Sequence, residues 1–500
     1  MGNEIDWSKN PNRTRMMHGR RVIYTDAKQI TADNVLTVLQ QAMDTHGLNS
    51  NEIDYLWKYY KGDQPILHRR KLVRPEINHM ILENRANEIV SFKTGYLIGE
   101  PIEYVSRTKE GVNEEITTLN EYMFAEDKAS KDEEIVEWGY IGGTAYRLVL
   151  PDKSVGDTDD ESPFRVFTLD PRYTAVVYSD DIYHKPMMAF TYTVDSDAVT
   201  HYSIYTEKDF FVVDGNLVNI QESRPHALGM IPIFEYPSNN ARLGAFEIVL
   251  PLLDALNDIE SNRLDAVEQT VQAFIKFINC DITAEDFQAL KDLGAIKVKS
   301  LDGQKADVDV VKTDLNQDQT HTLKEDIYNS ILTICGMPNR NGGSSTSDTG
   351  TAVLLRDGWS LAESRAKDSE HMFKRSEKQM LRLVLKICRA MHDFSLELKD
   401  IDMKFTRRNY EAIQSKSQVL VSMLQQPKIH PKLAFTSCGL FTDPESAYAM
   451  SMDYYDEQMR KWQAEEVDEH EDDDEGTGGE AVRGNRQASS ADQKADSAGD

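Results

Sequence analysis

Between Thr351 and Phe394 the sequence carries one sustained helical pattern. Met372, Phe373, Ser376, Met380, Leu383, Val384, Ile387, Met391 and Phe394 recur at three- and four-residue intervals, the spacing of one face of an α-helix. At roughly 1.5 Å per residue, about 44 residues make a rod of ~66 Å. That exceeds a compact domain, so the helix either kinks near Gly358 or belongs to an assembly larger than one chain. Before it runs Asn339-Arg340-Asn341-Gly342-Gly343-Ser344-Ser345-Thr346-Ser347-Asp348-Thr349-Gly350, a polar loop without one apolar side chain.

The same period predicts helices over Asn34–Tyr60, Glu76–Ile98 (stopped by Gly99 and Pro101), about Glu114–Tyr140, Leu243–Asn279 and Gln317–Cys335. Pro251 predicts a break or kink inside the Leu243 helix. Two final helices are expected over Asn409–Leu424 and Asp443–Trp462. From Thr144 to Val218 the period changes to two. Phe164–Leu169, Arg172–Tyr178, Met188–Val194, His201–Thr206 and Phe210–Val213 read as strands, with a hairpin signal at Asp214-Gly215-Asn216. Between the Leu243 and Gln317 helices lies a small unit: a short helix at Ala284–Leu293, then strands Ala295–Ser300 and Asp307–Lys312 joined through Asp302-Gly303. Met403–Arg407 reads as one more strand. Helices preceding a mostly antiparallel sheet make an α+β fold that is mainly helical.

The chain has 500 residues, 40% apolar and 28% charged, a globular balance and length enough for about three domains. Its net charge is −28, which repels phosphate at long range and disfavours gripping DNA or an anionic membrane. It does not exclude nucleic acid that must pass without sticking. Residues 465–500 hold 13 acidic and three basic residues and no aromatic. Such a segment cannot bury enough to offset its ordering entropy and is expected to be disordered. The start, Met1–Arg21, is polar and basic, and no run approaches the ~18–20 apolar residues of a spanning helix. A soluble, cytosolic protein is expected. Cys280, Cys335, Cys388 and Cys438 show no metal spacing and read as buried thiols.

The search for catalytic chemistry is negative. There is no Gly-Lys pair for a phosphate loop, and no HExxH, GxSxG or EF-hand loop. Ser364-Arg365-Ala366-Lys367 matches SxxK, but mid-helix and without its partner motifs. Asp254, Asp258 and Asp265 fall on about one helix face, yet Asp258 and Asp265 stand ~10 Å apart along the axis, too far to share one ion. A polar helix face is the favoured reading. The run Glu465–Glu475 lacks the rigidity a cation site needs. The histidines are scattered, and the aromatics Tyr202, Tyr205, Phe210 and Phe211 lack a basic stripe between them. No cofactor and no metal is expected.

The order of several segments resembles the portal protein of tailed bacteriophages, specifically those of long-tailed phages of Gram-positive hosts. They are Lys93-Thr94-Gly95-Tyr96-Leu97-Ile98-Gly99-Glu100-Pro101, Ile231-Pro232-Ile233-Phe234-Glu235-Tyr236, Ile296-Lys297-Val298-Lys299 with Asp302-Gly303, Thr349-Gly350-Thr351-Ala352-Val353-Leu354, Met403-Lys404-Phe405-Thr406-Arg407 and Leu440-Phe441-Thr442-Asp443-Pro444-Glu445. The resemblance implies an arm (1–33), an α+β wing (34–240), stem helices (241–280 and 315–338) around a clip (281–314), a tunnel loop (339–350), the long helix with a wing return (351–408), a helical crown (409–464) and the acidic tail (465–500). It implies a ring of about twelve subunits at one capsid vertex, assembled in the host cytoplasm. Double-stranded DNA would pass through its channel without sequence-specific contact. Asn341, Gly342, Gly343, Ser344, Ser345, Thr346 and Ser347 would line that channel. Lys297, Lys299, Asp302, Gly303 and Lys305 would dock the terminase large subunit and later a head–tail adaptor. Major capsid and scaffolding proteins are further implied partners; no membrane is. The loop's bland alternative is an ordinary linker. Rival readings of the whole chain are a metal-dependent phage nucleic-acid-processing enzyme and an acidic chaperone-like binder of basic proteins.

Overall fold

Helix α1 (Val35–Tyr60) follows Asn34 and buries Val35, Val38, Leu39, Ala42, Ile53 and Leu56 along one face. A computed structural model describes residues 19–72, 74–107, 113–152, 162–197, 199–271, 274–278, 280–281, 283–285, 288, 299–300, 307–311, 317–339, 358–391, 394–407, 410–441 and 444–471. After α1 come α2 (Arg85–Ile98), α3 (Asn113–Ala125) and α4 (Lys128–Gly142). The expected Glu76 start of α2 is corrected to Arg85, where the Asn84 side chain accepts the Asn87 amide. Residues 76–77 close a turn on Arg74, and 78–84 run without helix, because the amides of His79, Ile81 and Glu83 find partners on another helix, described below. The expected single helix over Glu114–Tyr140 is two. Asp127 adopts φ +50 between them, left-handed backbone that a continuous helix does not tolerate. Gly143 then ends α4 at φ +84, where a Cβ would collide with the Arg242 carbonyl. Only glycine fits that close approach.

The sheets are antiparallel but for one pair. β5 (Thr174–Ser179), β6 (Pro186–Val194), β7 (Thr200–Tyr205), β8 (Asp209–Asp214) and β9 (Ile220–Pro225) form a meander, with β1 (Ile23–Thr25) added in parallel beside β5. A three-stranded sheet has the order β10-β3-β4, with β3 at Thr144–Pro151, β4 at Phe164–Leu169 and β10 at Ile233–Pro237. β2 (Glu103–Ser106) pairs with β15 (Ile401–Lys404). The fold is therefore α+β with antiparallel sheets, as the change of period implies.

The long helix, numbered α7, spans Trp359–Met391, 33 residues, or roughly 50 Å. It begins after Gly358 at φ +83; residues 351–357 of the expected rod lie outside the described residues, and Phe394 is past its end. Its buried face includes Phe373, Met380, Leu381, Leu383, Val384 and Ile387, each contributing about 1.5–3 kcal/mol by leaving water. These residues, α2, α4, β3 and β10 share the largest core. A second core joins α1 to the six-stranded sheet through Val38, Leu39, Phe190, Ile204 and Phe211.

Helix α5 is Leu250–Val271, preceded by a 3-10 turn at Glu247–Val249. Pro251 therefore sits in its first turn, where no amide donor is needed, and the expected Leu243 helix is broken there, the α-helix starting only at Leu250. The helix also ends before the expected Asn279. Phe274-Ile275-Lys276-Phe277-Ile278 forms strand β11, since β-branched and aromatic residues favour the pleated sheet. β12 (Cys280–Asp281), β13 (Lys299–Ser300) and β14 (Asp307–Val311) complete a ribbon, followed by α6 (Gln317–Cys335). Of the short helix expected over Ala284–Leu293, only Ala284, Glu285 and Gln288 are described.

The chain divides into two compact units, 1–409 and 410–500. The second holds α8 (Tyr410–Leu424), α9 (Pro431–Cys438) and α10 (Pro444–Glu471), with Phe435 stacked on Phe441 at 5.2 Å and edge-on to Tyr448. α10 continues seven residues into the segment expected to be disordered, its Glu and Ala content favouring helix despite the charge. Residues 472–500 lie outside the described residues. Cys335, Cys388 and Cys438 are free, buried thiols.

Candidate functional site

The residues assigned to the channel, Asn341 to Ser347, lie outside the described residues. So do Lys297, Asp302, Gly303 and Lys305. Lys299 is in β13, opposite Asp281. The two strands expected to form one hairpin pair elsewhere. β14 runs antiparallel to β11, from Phe274 opposite Val311 to Ile278 opposite Asp307, and β13 pairs with β12. The strands are nested, so the chain leaves α5 along one side of a single ribbon and returns along the other to α6. Hairpin reasoning from Asp302-Gly303 missed this because it paired neighbours in sequence.

Three side chains fasten α5 to the body. Asn257, Ser261 and Asp265 are spaced four residues apart and lie on one face. They accept the amides of Glu83 (2.8 Å), Ile81 (3.0 Å) and His79 (2.8 Å). An extended segment is thus laid along a helix, with side chains supplying the ladder a neighbouring strand would supply. All three side chains belong to buried residues. Asp265 also takes the Lys71 ammonium, the His79 ring at 2.9 Å and Arg69 at 3.4 Å. Burial would raise its carboxyl; the hydrogen bonds from Lys71 and His79 win and hold it below the ordinary value. Asp254 accepts the Tyr59 hydroxyl at 2.8 Å. Lys324 of α6 bridges Glu83 and Glu260 at 2.6 Å each, and Arg85 covers the Tyr328 ring at 4.5 Å. Of the three carboxylates that could have been a nuclease cluster, Asp254 and Asp265 are spent on structure, and no group of three potential ligands for a metal occurs among the described residues.

The long helix is registered by a buried ionic network. Glu377 on α7 accepts the hydroxyls of Tyr104 (β2) and Tyr236 (β10) at 2.6 Å each. It also accepts Lys128 Nζ at 2.8 Å and Arg147 Nη1 at 3.3 Å. Lys128 and Arg147 both reach Asp132, at 2.7 and 2.6 Å. Two cations and two carboxylates thus balance with Glu377 and the Arg147 side chain at 0% exposure. Burial pushes the Glu377 carboxyl up, but Lys128 and Arg147 overcome this and hold it well below its ordinary value. Sequence reasoning missed this network. The available signal was that Glu377 falls on the apolar stripe itself, between Phe373 and Met380.

The result is a body into which the long helix is locked, carrying a fastened helical pair that continues into a two-stranded ribbon. No described helix is long and apolar enough to cross a membrane. No curated protein sequence matches the chain. A solved chain described as "Neck of empty GTA particle computed with C6 symmetry" is 11% identical, with a TM-score of 0.44 over 71% of this chain and 90% of that one. Residues 43–472 match the family described as "Phage portal protein, SPP1 Gp6-like". That match spans well over half of the sequence, and the chain belongs to this phage portal family, whose members are structural rather than enzymatic.

Proposed function

We propose that this chain is the portal subunit of a tailed phage of a Gram-positive host. About twelve copies close into a ring at one capsid vertex, and double-stranded DNA enters and leaves through its axis. The observation that carries the reading is the α5–ribbon–α6 excursion, rooted through Asn257, Ser261 and Asp265, in a chain of this family. A rooted stalk with a ribbon beyond it is a means of holding a docking surface away from the body. The residues assigned to that surface are Lys297, Lys299, Asp302, Gly303 and Lys305, and its partners are the terminase large subunit during DNA packaging and a head–tail adaptor afterwards. Capsid and scaffolding proteins contact the ring as it assembles in the host cytoplasm. The net charge of −28 suits a conduit, because phosphate then slides rather than sticks.

In this reading Asn341 to Ser347 of every subunit meet near the axis, so one substitution is multiplied by the subunit number. Ser344→Arg with Ser345→Arg places cations where phosphate passes, and the Trp pair narrows the passage. Both variants are expected to fold and assemble, yet to give particles with little DNA when they complement a portal-deficient phage. Full heads from both would show an ordinary linker, since exposed loop substitutions cost within about 0.5 kcal/mol.

A further inference from the structure

Against the acidity of the whole, one cleft of about 550 Å³ is cationic. It lies between α7 and the edges of two sheets. On one side stand Arg375 and Arg382, both exposed and without a hydrogen-bond or ion-pair partner among the described residues. On the other stands Lys185, over the Tyr183 ring at 5.3 Å. Arg242 also lines the cleft, but Glu235 binds it at 2.6 and 2.9 Å and cancels it. Among the lining residues Glu207 is the one acid left to oppose the three remaining cations, and Asp181, outside the lining, offsets part of the Lys185 charge. The floor is partly apolar, with Val176, Ile231 and Ile233.

Two further features limit what fits. β10 is the outer strand of the three-stranded sheet and β1 the outer strand of the six-stranded sheet, and both line the cleft. An outer strand offers backbone donors and acceptors to an added extended chain. Arg375 and Arg382 are seven residues apart on one helix, a rise of ~10.5 Å. In an extended chain alternate side chains share one face and recur every ~7 Å, so acidic side chains at alternate positions come within reach of both flexible guanidinium groups. A double helix, whose grooves alone are about 6–12 Å wide, does not enter a space of this size.

We infer that this cleft is a docking site for an extended acidic peptide of a partner protein, with carboxylates at alternate positions, on one face of the peptide, held by Arg375 and Arg382 and with Lys185 facing them. Guanidinium–carboxylate pairing supplies geometry as well as charge. The apolar floor takes the small side chains between the carboxylates.

The test uses the full-length purified protein and a fluorescein-labelled peptide of Asp-Ala repeats, read by fluorescence polarisation at low salt. Arg375→Gln with Arg382→Gln is expected to weaken binding at least about tenfold, since each charged hydrogen bond is worth roughly 1.5–3 kcal/mol. Both side chains are exposed, so circular dichroism and assembly state should not change. Lys378→Gln, on the same helix but outside the cleft lining, is expected to change binding less than about twofold. A peptide of Lys-Ala repeats should not bind. No binding of the acidic peptide at low salt, or binding that the double substitution leaves unaltered, overturns the proposal. So does a short DNA duplex that binds tighter than the peptide and depends on the same arginines, because the surface would then be one for nucleic acid.

Discussion

Replacing Glu377 by Gln removes one charge from a site closed to bulk solvent. Lys128 and Arg147 would then share Asp132 alone, leaving one uncompensated buried cation. Breaking a buried pair by removing one partner costs about 3–5 kcal/mol, a large share of a stability of ~5–15 kcal/mol. Tyr104→Phe and Tyr236→Phe each delete a single hydroxyl donating to Glu377 at 2.6 Å and should cost less, roughly 1.5–3 kcal/mol each. Exchanging Lys128 for Met together with Glu377→Gln should be milder than the sum of the two, with a coupling of about 0.5–3 kcal/mol. The pH dependence has a definite sign. The folded-state value of Glu377 lies below its ordinary 4.5, so its contribution is complete above pH 4.5 and is lost as pH falls towards the lowered value. The gap between wild type and Glu377→Gln should therefore shrink over that acid window. Urea unfolding at pH 7 and at steps below 4.5 measures it. A Glu377→Gln protein within ~1 kcal/mol of wild type at pH 7, or a gap that widens on acidification, refutes the network as the device that registers the long helix.

Asp265→Ala takes the shared carboxylate from Lys71 and Arg69, leaving them only the neutral acceptors Ile77 O and Asn262, frees the His79 amide and should cost about 3–5 kcal/mol. Protection of the His79 and Ile81 amides from hydrogen exchange should fall first, and unchanged protection would contradict the side-chain ladder. Truncation after Glu471, where the described helix α10 ends, should leave thermal midpoint and assembly unchanged and only reduce self-repulsion; loss of assembly would make the remaining acidic segment structural.

Local regularity was legible and distant partnership was not. Gln317–Cys335 and Phe164–Leu169 were readable to the residue, because a 3.6 or 2.0 period needs no knowledge of the neighbour. Ile77 and Ile81 were misread as one helical face. A spacing of four is also met by an extended chain, and what settles the matter is Asn257 and Ser261, some 180 residues away. The nested ribbon was hidden for the same reason: Phe274 faces Val311, and no local signal says so. Nothing local to Lys128, Asp132 and Arg147 announces the network, which exists only because the fold brings Glu377 among them. The site expectations for the loop and clip rest on the portal resemblance, and the family match at residues 43–472 supports that resemblance without assigning those residues.

The central claim is that copies of this chain close into a ring around a DNA-sized hole. Mass photometry of the purified protein across a concentration series, with electron microscopy of the largest species, addresses it directly. The account expects a discrete assembly of about twelve subunits, ~680 kDa from a 56.9 kDa chain, with a stain-filled central channel. A monomer or dimer at every concentration, and no ring in particles purified from infected cells, would contradict it.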